Sequence, residues 1–265
     1  DKILFHNSFE NKNYTIEELN SLILVKIKQN AAKQLKVDIK KAVITIPAHF
    51  DQIQRESILI SSKIAGLDCI RLVNEPTAAA MSYGLNYHDD INILIFDLGG
   101  GTLDLSILNI DEGLFDVLGT HGDNCLGGED FTKILIKDAI SKFIEKNKFY
   151  NLNQNKLFLK INELRDQCEN LKKNLSDNNK FLISNFYEDS ALKIDLNYEI
   201  SKKEVNSLFN PLYDKITSYL DKILLLTNIS KNELDHIILV GGATKSKEIK
   251  FIIESYFKKE TLSNI

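Results

Sequence analysis

Apolar residues in this chain fall into two kinds of run. Short β-branched or continuous runs at 42–46, 69–73, 93–96, 114–119 and 237–240 read as strands. Longer stretches carry apolar residues every three or four positions and read as helices. Thr15-x-x-Glu18 is a capping box that opens a helix with Leu19, Ile23, Ile27, Ala31 and Leu35 on one face. Asp51 caps a helix that runs to about Ala65, with Gly66 at the position after its end. Pro76 suits the first turn of a helix that Gly84 terminates. Leu157, Ile161, Leu164, Cys168, Leu171 and Leu175 form one stripe of a further helix. Ser201-x-x-Glu204 starts another, in which Pro211 predicts a kink or break. Residues 1–13 read as a strand and a loop, 180–186 and 191–199 as an antiparallel pair, and Ser230-x-x-Glu233 as a short turn. A last helix turns Ile249, Ile252, Ile253, Tyr256 and Phe257 inward. Strand–helix–strand–helix order marks an α/β layer.

The most informative stretch is 91–110, INILIFDLGGGTLDLSILNI. Two strands flank Gly99, Gly100 and Gly101, where no Cβ hinders the approach of backbone amides to an anion. Asp97 closes the first strand; Thr102 adds a hydroxyl and Asp104 a second carboxylate. Turn amides beside carboxylates suit a phosphate–magnesium ligand. Taken alone, the turn reads equally well as a structural bend, and neither G-x-G-x-x-G nor a P-loop is present. Three other places share this double reading. Glu75 ends a strand, where ligands collect in open α/β sheets, or it is a helix-capping acid. Gly127-Gly128-Glu129-Asp130 opens a helix as an anion site, or as an ordinary acidic first turn. Glu169, Lys172, Lys173 and Ser176 share one helix side, as a binding face or as a salt-bridged surface. The strand at 237–240 runs into Gly241-Gly242 and then a helix, again a ligand-friendly switch.

Composition narrows the options. A net charge of −4 leaves no electrostatic footprint for nucleic acid. No apolar run reaches the ~18 residues of a spanning helix, so no membrane role is expected, and no signal or transit pattern opens the chain. Cys69, Cys125 and Cys168 are widely spaced, which argues against a disulfide framework or a zinc site and for a reducing, cytoplasm-like compartment. All twelve glycines lie between Gly66 and Gly128 or at Gly241 and Gly242. A long glycine-free insert therefore separates two glycine-marked parts. Residues 87–90 are short and polar, a plausible boundary between lobes.

Six stretches, VITIPAHFD, AGLDCIRLVNEPTAAAMSYGL, ILIFDLGGGTLDLSIL, GDNCLGGEDF, CENLKKNLS and HIILVGGATK, together resemble the heat shock protein 70 (DnaK-like) chaperone family, and within it the nucleotide-binding (ATPase) domain. The resemblance implies an α/β, actin-like ATPase (ribonuclease H-like) fold of two lobes, with mixed sheets flanked by helices and an α+β insert. Residues 1–88 would belong to the first lobe, 89–127 and 211–265 to the base of the second, and 128–210 to its upper subdomain. It also implies ATP/ADP and Mg2+ as ligands in an interlobe cleft. Gly99, Gly100, Gly101 and Thr102 would hold phosphates. Asp97 would support magnesium through water, with Asp104 nearby, and Glu75 would help place the attacking water. Glu75, Asp97 and Thr102 are thus the catalytic candidates. Gly128 and Glu129 would approach the phosphates and ribose. Glu169, Lys172, Lys173 and Ser176 would grip the nucleoside from one side, and Gly241, Gly242, Ala243 and Lys245 from the other. Pro47 and Arg55 match positions that pass the nucleotide state between lobes.

A J-domain co-chaperone, a nucleotide-exchange factor and unfolded clients are the implied partners. Lys173 and Lys245 stand where the family usually has arginines, and Ala243 lacks a usual hydroxyl, so a weaker adenine grip is expected. His49 replaces a common tyrosine. Pro211 and the PAHF and GGAT variants resemble the branch serving iron–sulfur cluster assembly (HscA-like). The family's first phosphate hairpin and its lysine would precede Asp1, and its closing helix would follow Ile265. Poor ATP turnover by this stretch alone is therefore the expectation. A non-catalytic exchange or scaffold relative, and a small-molecule kinase of the same superfamily, are the competing readings.

Overall fold

A computed structural model describes residues 4–84, 90–146, 154–175, 180–183, 188–189, 194–195 and 198–263, the side chains of 154–160, 188–189 and 194–195 excepted. The chain divides into two compact units, Asp1–Leu85 and Asn86–Ile265. Of the expected boundary at 87–90, only Asp90 lies within the described residues.

The first unit opens with an antiparallel hairpin, β1 (Leu4–Asn7) and β2 (Lys12–Thr15), where one strand and a loop were expected. Helix α1 (Ile16–Leu35) starts on the expected capping box: Thr15 accepts from the Glu18 amide, and the Glu18 carboxylate accepts from the Thr15 amide. Its apolar stripe, however, does not bury as its spacing predicts. Ile23, Ile27 and Leu35 are exposed, and the buried residue is Ser21. The reason lies in α2 (Gln52–Ile64), which packs against α1 and whose buried residues are Ser61 and Ser62. Each of these three serines satisfies its hydroxyl on a carbonyl of its own helix. Small side chains thus occupy the buried positions of both helices, and the larger aliphatics turn outward. Strands β3 (Lys41–Ile46) and β4 (Asp68–Asn74) form a two-stranded parallel pair. Helix α3 (Glu75–Ser82) follows with Pro76 in its first turn and Gly84, at φ +58°, after its end.

Four strands form the main sheet of the second unit, in the order β12-β5-β6-β7: β5 (Ile91–Leu98), β6 (Leu103–Asp111), β7 (Leu114–Asp123) and β12 (His236–Val240). β5 runs antiparallel to β6 and parallel to β12, and β6 runs antiparallel to β7. The continuous apolar runs of β5 and β6 are buried on both faces: Ile93 to Phe96 and Leu105 to Leu108 are all inaccessible or nearly so. β7 extends beyond the expected end at Gly119. Gly119 and Gly122 sit within it, where a Cβ would meet Thr227 at 2.7 Å and the Leu103 carbonyl at 2.1 Å.

Helices α4 (Gly128–Lys146) and α5 (Gln154–Lys173) pack together, and Leu164, Cys168, Leu171 and Leu175 of the expected stripe are buried. The antiparallel pair after them is divided. β8 (Lys180–Ile183) pairs with β11 (Tyr198–Ser201), and a two-residue pair, β9 (Glu188–Asp189) and β10 (Ile194–Asp195), lies between them in sequence. Helix α6 (Lys202–Thr227) does not break at Pro211. Proline removes one amide, but Val205, Phe209, Tyr213, Ile216 and Leu220 bury one face on both sides of it, and that packing holds the helix continuous. After β12 a 3-10 turn (Gly242–Lys245) precedes α7 (Lys247–Phe257), whose Ile249, Ile253 and Phe257 are buried as expected.

Candidate functional site

In the second unit, strand pairing brings two glycine turns together. β5 and β12 are parallel neighbours with Asp97 opposite Val240, so the turns that follow them leave the sheet at one edge. Their approach is close enough to require glycine. A Cβ on Gly241, at φ +90°, would stand 2.4 Å from the Leu98 carbonyl oxygen and 2.6 Å from a carboxylate oxygen of Asp97. A third glycine segment joins them: a Cβ on Gly127 would lie 2.4 Å from the Gly101 nitrogen.

The first turn is closed by one hydrogen bond, from the Gly99 amide to the Thr102 carbonyl at 3.0 Å. Among the described residues no protein acceptor stands against the amides of Gly100, Gly101 and Thr102. The start of α4 is tied to the same turn. The Gly128 amide donates to the Gly99 carbonyl at 2.9 Å and the Glu129 amide to the Gly100 carbonyl at 2.8 Å. Asp130 caps the same end by accepting from the Gly127 amide. The amides of Gly127, Gly128 and Glu129 are therefore taken within the chain, and the helix start braces the glycine turn.

Beside these turns lies a cavity of about 600 Å3. Gly99, Gly100, Gly128, Glu129, Glu169, Lys172, Lys173, Gly242, Ala243 and Lys245 all line it, and all were expected site residues. Phe131, Phe209, Tyr213, Leu175 and Ile249 supply its apolar wall. Gly101, Thr102, Asp97, Asp104 and Gly241 are not on its lining but belong to the adjoining turns and strand ends. Ser176 lies outside the described residues. Glu75, the first residue of α3, and Pro47 and Arg55 belong to the first unit. Arg55 there donates to the Phe50 and Ala48 carbonyls and to the Asn74 side chain, which ties the loop after β3 to the end of β4.

Charge inside the cavity is organised in pairs. The Lys172 ammonium donates to Glu169 at 2.5 Å, to the Gly128 carbonyl at 2.7 Å and to Thr132 at 2.9 Å. Burial pushes the Glu169 carboxyl upward, but its bonds to Lys172 and Thr132 and the nearby charge of Lys173 outweigh this and leave it below the usual range. Arg165 grips Glu129 with two parallel bonds of 2.7 and 2.8 Å, which hold the Glu129 carboxyl low. Asp97 goes the other way. Burial, and secondly the Asp104 charge opposite it in the β5–β6 register, raise its pKa. Two carboxylates facing one another across strands repel until a cation stands near. That is a fit for a magnesium ion held at Asp97 and Asp104, although no group of three or more metal-binding side chains occurs among the described residues.

Sequence reasoning missed Arg165, Thr132 and the aromatic wall. Arg165 was within reach: it stands four residues before Glu169 on the same helix side as Lys172 and Lys173. Phe131, Phe209 and Tyr213 carry no such signal, because apolar core positions of α4 and α6 look alike whether or not a cavity opens beside them.

Comparison with known proteins identifies the family. The family described as Hsp70 protein matches residues 1–265. A heat shock 70 kDa protein of Emericella nidulans is 37% identical over 260 residues, 97% of this chain and 39% of that protein. One from Neurospora crassa is 39% identical over 251 residues, 94% of this chain and 38% of its own length. Heat shock 70 kDa protein 2 of Paracoccidioides lutzii is 37% identical over 252 residues, again 94% and 38%. The chain thus spans 38–39% of the length of these relatives, and their names point to the family without singling out a branch within it. With the family match running from its first residue to its last, the chain belongs to the Hsp70 family.

Proposed function

We propose that this chain is the nucleotide-binding part of an ATP-driven molecular chaperone that assists protein folding, binding Mg-ATP or Mg-ADP and signalling the nucleotide state to a separate peptide-binding domain. One observation carries the reading: the glycine turns after β5 and β12 leave one sheet edge together, beside a cavity lined by Glu169, Lys172, Lys173 and Lys245. In this reading the amides of Gly100, Gly101 and Thr102 and the Thr102 hydroxyl bind the β- and γ-phosphates. Lys172 is already committed to Glu169 and the α4 start, so it stiffens the nucleoside wall and adds positive potential there. Lys245, exposed on the 3-10 turn, closes on the base from the opposite side together with Ala243. Magnesium, when bound, supplies positive charge between the phosphates, and Asp97 and Asp104 are the residues that would hold it. Glu75 would orient the attacking water. Catalysis here is positioning and charge stabilisation, with no covalent step for the protein.

Residues 1–88 would form part of one lobe, 89–127 and 211–265 the base of another, and 128–210 its upper subdomain. The partners the family works with, a J-domain co-chaperone, an exchange factor and unfolded clients, follow from the same reading. Calorimetry with ATP and ADP, with and without magnesium, tests it. Wild-type protein is expected to bind both in a magnesium-dependent way. Thr102→Ala is expected to weaken ATP about tenfold, the loss of one hydrogen bond to a charged group. A full-length protein that takes up neither nucleotide would sink the proposal.

A further inference from the structure

We infer that the groove between α6 and α7 is a second binding site, and that its ligand is an extended peptide segment of another protein carrying acidic and apolar side chains.

Two adjoining cavities, of about 440 and 380 Å3, share Lys202, Asn206 and Asn210 of α6. Among the described residues that line them, Tyr213 alone also lines the cavity beside the glycine turns. Lys202, Asn206 and Asn210 follow one another at intervals of four, so they form a single ridge along the helix. Phe251 and Ile252 of α7 supply the apolar side of the groove. A 2.9 Å ion pair from Lys202 to Glu248 ties the two helices together.

Two acceptors on α6 lack donors. The side-chain oxygen of Asn206 is buried with no hydrogen-bond partner among the described residues. Asn206 as a whole is only half-buried, so a small turn of its carboxamide brings that oxygen to a ligand. One residue on, the Ser207 carbonyl loses its usual helical donor, because the residue four places later is Pro211, which has no amide hydrogen. The proline that leaves α6 unbroken thus leaves an acceptor unfilled where Ser207 lines the groove. An acceptor without a donor is costly, and both gain from a ligand that brings N–H groups.

Charge and spacing set the rest. Lys202, Lys203 and Lys247 line the groove against one carboxylate, Glu248, in a chain of net charge −4. Lys203 is exposed, and its ammonium has no ion-pair partner among the described residues. Phe251, 70% exposed, offers an apolar anchor. N–H donors, carboxylates and apolar groups occur together in a peptide. A phosphodiester backbone meets the lysines but brings no donor for Asn206 or Ser207. Four residues of α6 rise about 6 Å, and two residues of an extended peptide span about 6.6 Å. Alternate residues of such a peptide therefore keep step with Asn206 and Asn210.

The test is fluorescence-anisotropy binding of a short labelled peptide of alternating aspartate and leucine to the full chain, with a lysine–leucine peptide and oligothymidylate as the other probes. Wild type is expected to bind the acidic peptide, more weakly as salt is added, and not to bind the basic one. Phe251→Ala should weaken binding about tenfold or more, the scale of an aromatic anchor. Lys203→Glu should weaken it about fivefold. Asn206→Ala and Pro211→Ala should each weaken it about threefold to tenfold, the scale of one hydrogen bond. Pro211→Ala discriminates best: it returns an amide to the Ser207 carbonyl, so the thermal midpoint should hold or rise while peptide affinity falls. No binding of the acidic peptide up to about 1 mM overturns the inference, as does equal binding of the basic one. Wild-type affinity in both Phe251→Ala and Pro211→Ala overturns it by placing the peptide elsewhere. Oligothymidylate binding at the expense of the acidic peptide overturns it in favour of a nucleic-acid surface. Should Pro211→Ala not fold, Phe251→Ala and Lys203→Glu, both at exposed side chains, are read by the same ratio to wild type.

Discussion

The two units are written in the same alphabet of strands and helices, yet only the second builds a deep core. Ile93, Leu94, Phe96, Leu98, Leu103 and Leu105 are fully inaccessible. Of the ten largest fully buried side chains among the described residues, Ile46 alone belongs to the first unit. There the parallel pair β3–β4 leaves Val43 54% and Ile70 60% exposed, and the adjoining helices leave Ile23, Ile27 and Ile53 outward. The difference is one of layers. β5 has a strand on each side in a four-stranded sheet, whereas β3 and β4 pair only with one another, with α2 and α3 beside them. Parallel strands are normally buried on both faces, and two strands are too few to supply that burial. A hydrophobic pattern thus states where a surface is to be covered; only the neighbouring elements decide whether it is.

The strongest way to sharpen this contrast is to delete one large side chain from each unit. Phe96→Ala, in β5, removes a fully buried ring and is expected to destabilise the second unit by about 3–5 kcal/mol. Ile70→Ala, in β4, removes a side chain that is mostly in water and should change stability by about 0.5 kcal/mol or less. Hydrogen exchange read segment by segment is the right measurement, since two units need not unfold in one step. Equal losses of protection in both would contradict the layer argument.

A smaller effect separates the glycines. Gly241 and Gly84 both have positive φ, at +90° and +58°. Around Gly84 a Cβ meets nothing within 4 Å; at Gly241 it meets backbone at 2.4 Å. Gly84→Ala is expected to cost about 1 kcal/mol, the backbone preference alone. Gly241→Ala should cost about 2–3 kcal/mol and spread the turns after β5 and β12, weakening ATP binding as well. Unchanged nucleotide affinity in Gly241→Ala, measured by calorimetry, would detach that turn from the site.

How much of this was legible beforehand follows from what each signal depends on. Capping boxes at Thr15–Glu18 and Ser201–Glu204, the strands around Gly99 to Gly101, and the α7 face were readable because each is decided by residues close together in sequence. The rotation of α1 was not, since it depends on serines contributed by α2. Of the kink or break that Pro211 predicts, the break does not occur for the same reason: the local penalty was visible, and the long buried face of α6 that outweighs it was not. At the site, residue types were legible and their commitments were not. Nothing in Leu126-Gly127-Gly128-Glu129-Asp130 says that its amides are spent on the carbonyls of a turn nearly thirty residues earlier, or that Arg165 occupies Glu129.

Acid should narrow the gap between the units, and Asp123 shows why. At the end of β7 it accepts hydrogen bonds from Lys215 on α6, from the Cys125 amide and from Tyr219. Lys215 first, then the Cys125 amide, pull its pKa from 3.8 down to about 2, against a smaller upward push from burial. The sign follows from which state takes the proton. As pH falls past 3.8 the unfolded chain protonates Asp123, while the folded chain refuses the proton until about 2. The contribution is therefore present in full above that window and is lost within it. Glu129, Glu169, Glu204, Glu233 and Glu248 are also held low, and all lie in the second unit. Lys215→Met removes the largest cause for Asp123, so its acid-unfolding midpoint for the second unit should move to higher pH by a few tenths of a unit. The first unit should not respond. Because the Lys215 side chain is 44% exposed, added salt should shrink the difference between wild type and variant. An acid titration of segment-resolved hydrogen exchange in which Lys215→Met shifted both units together would show that Asp123 does not act through this local pair.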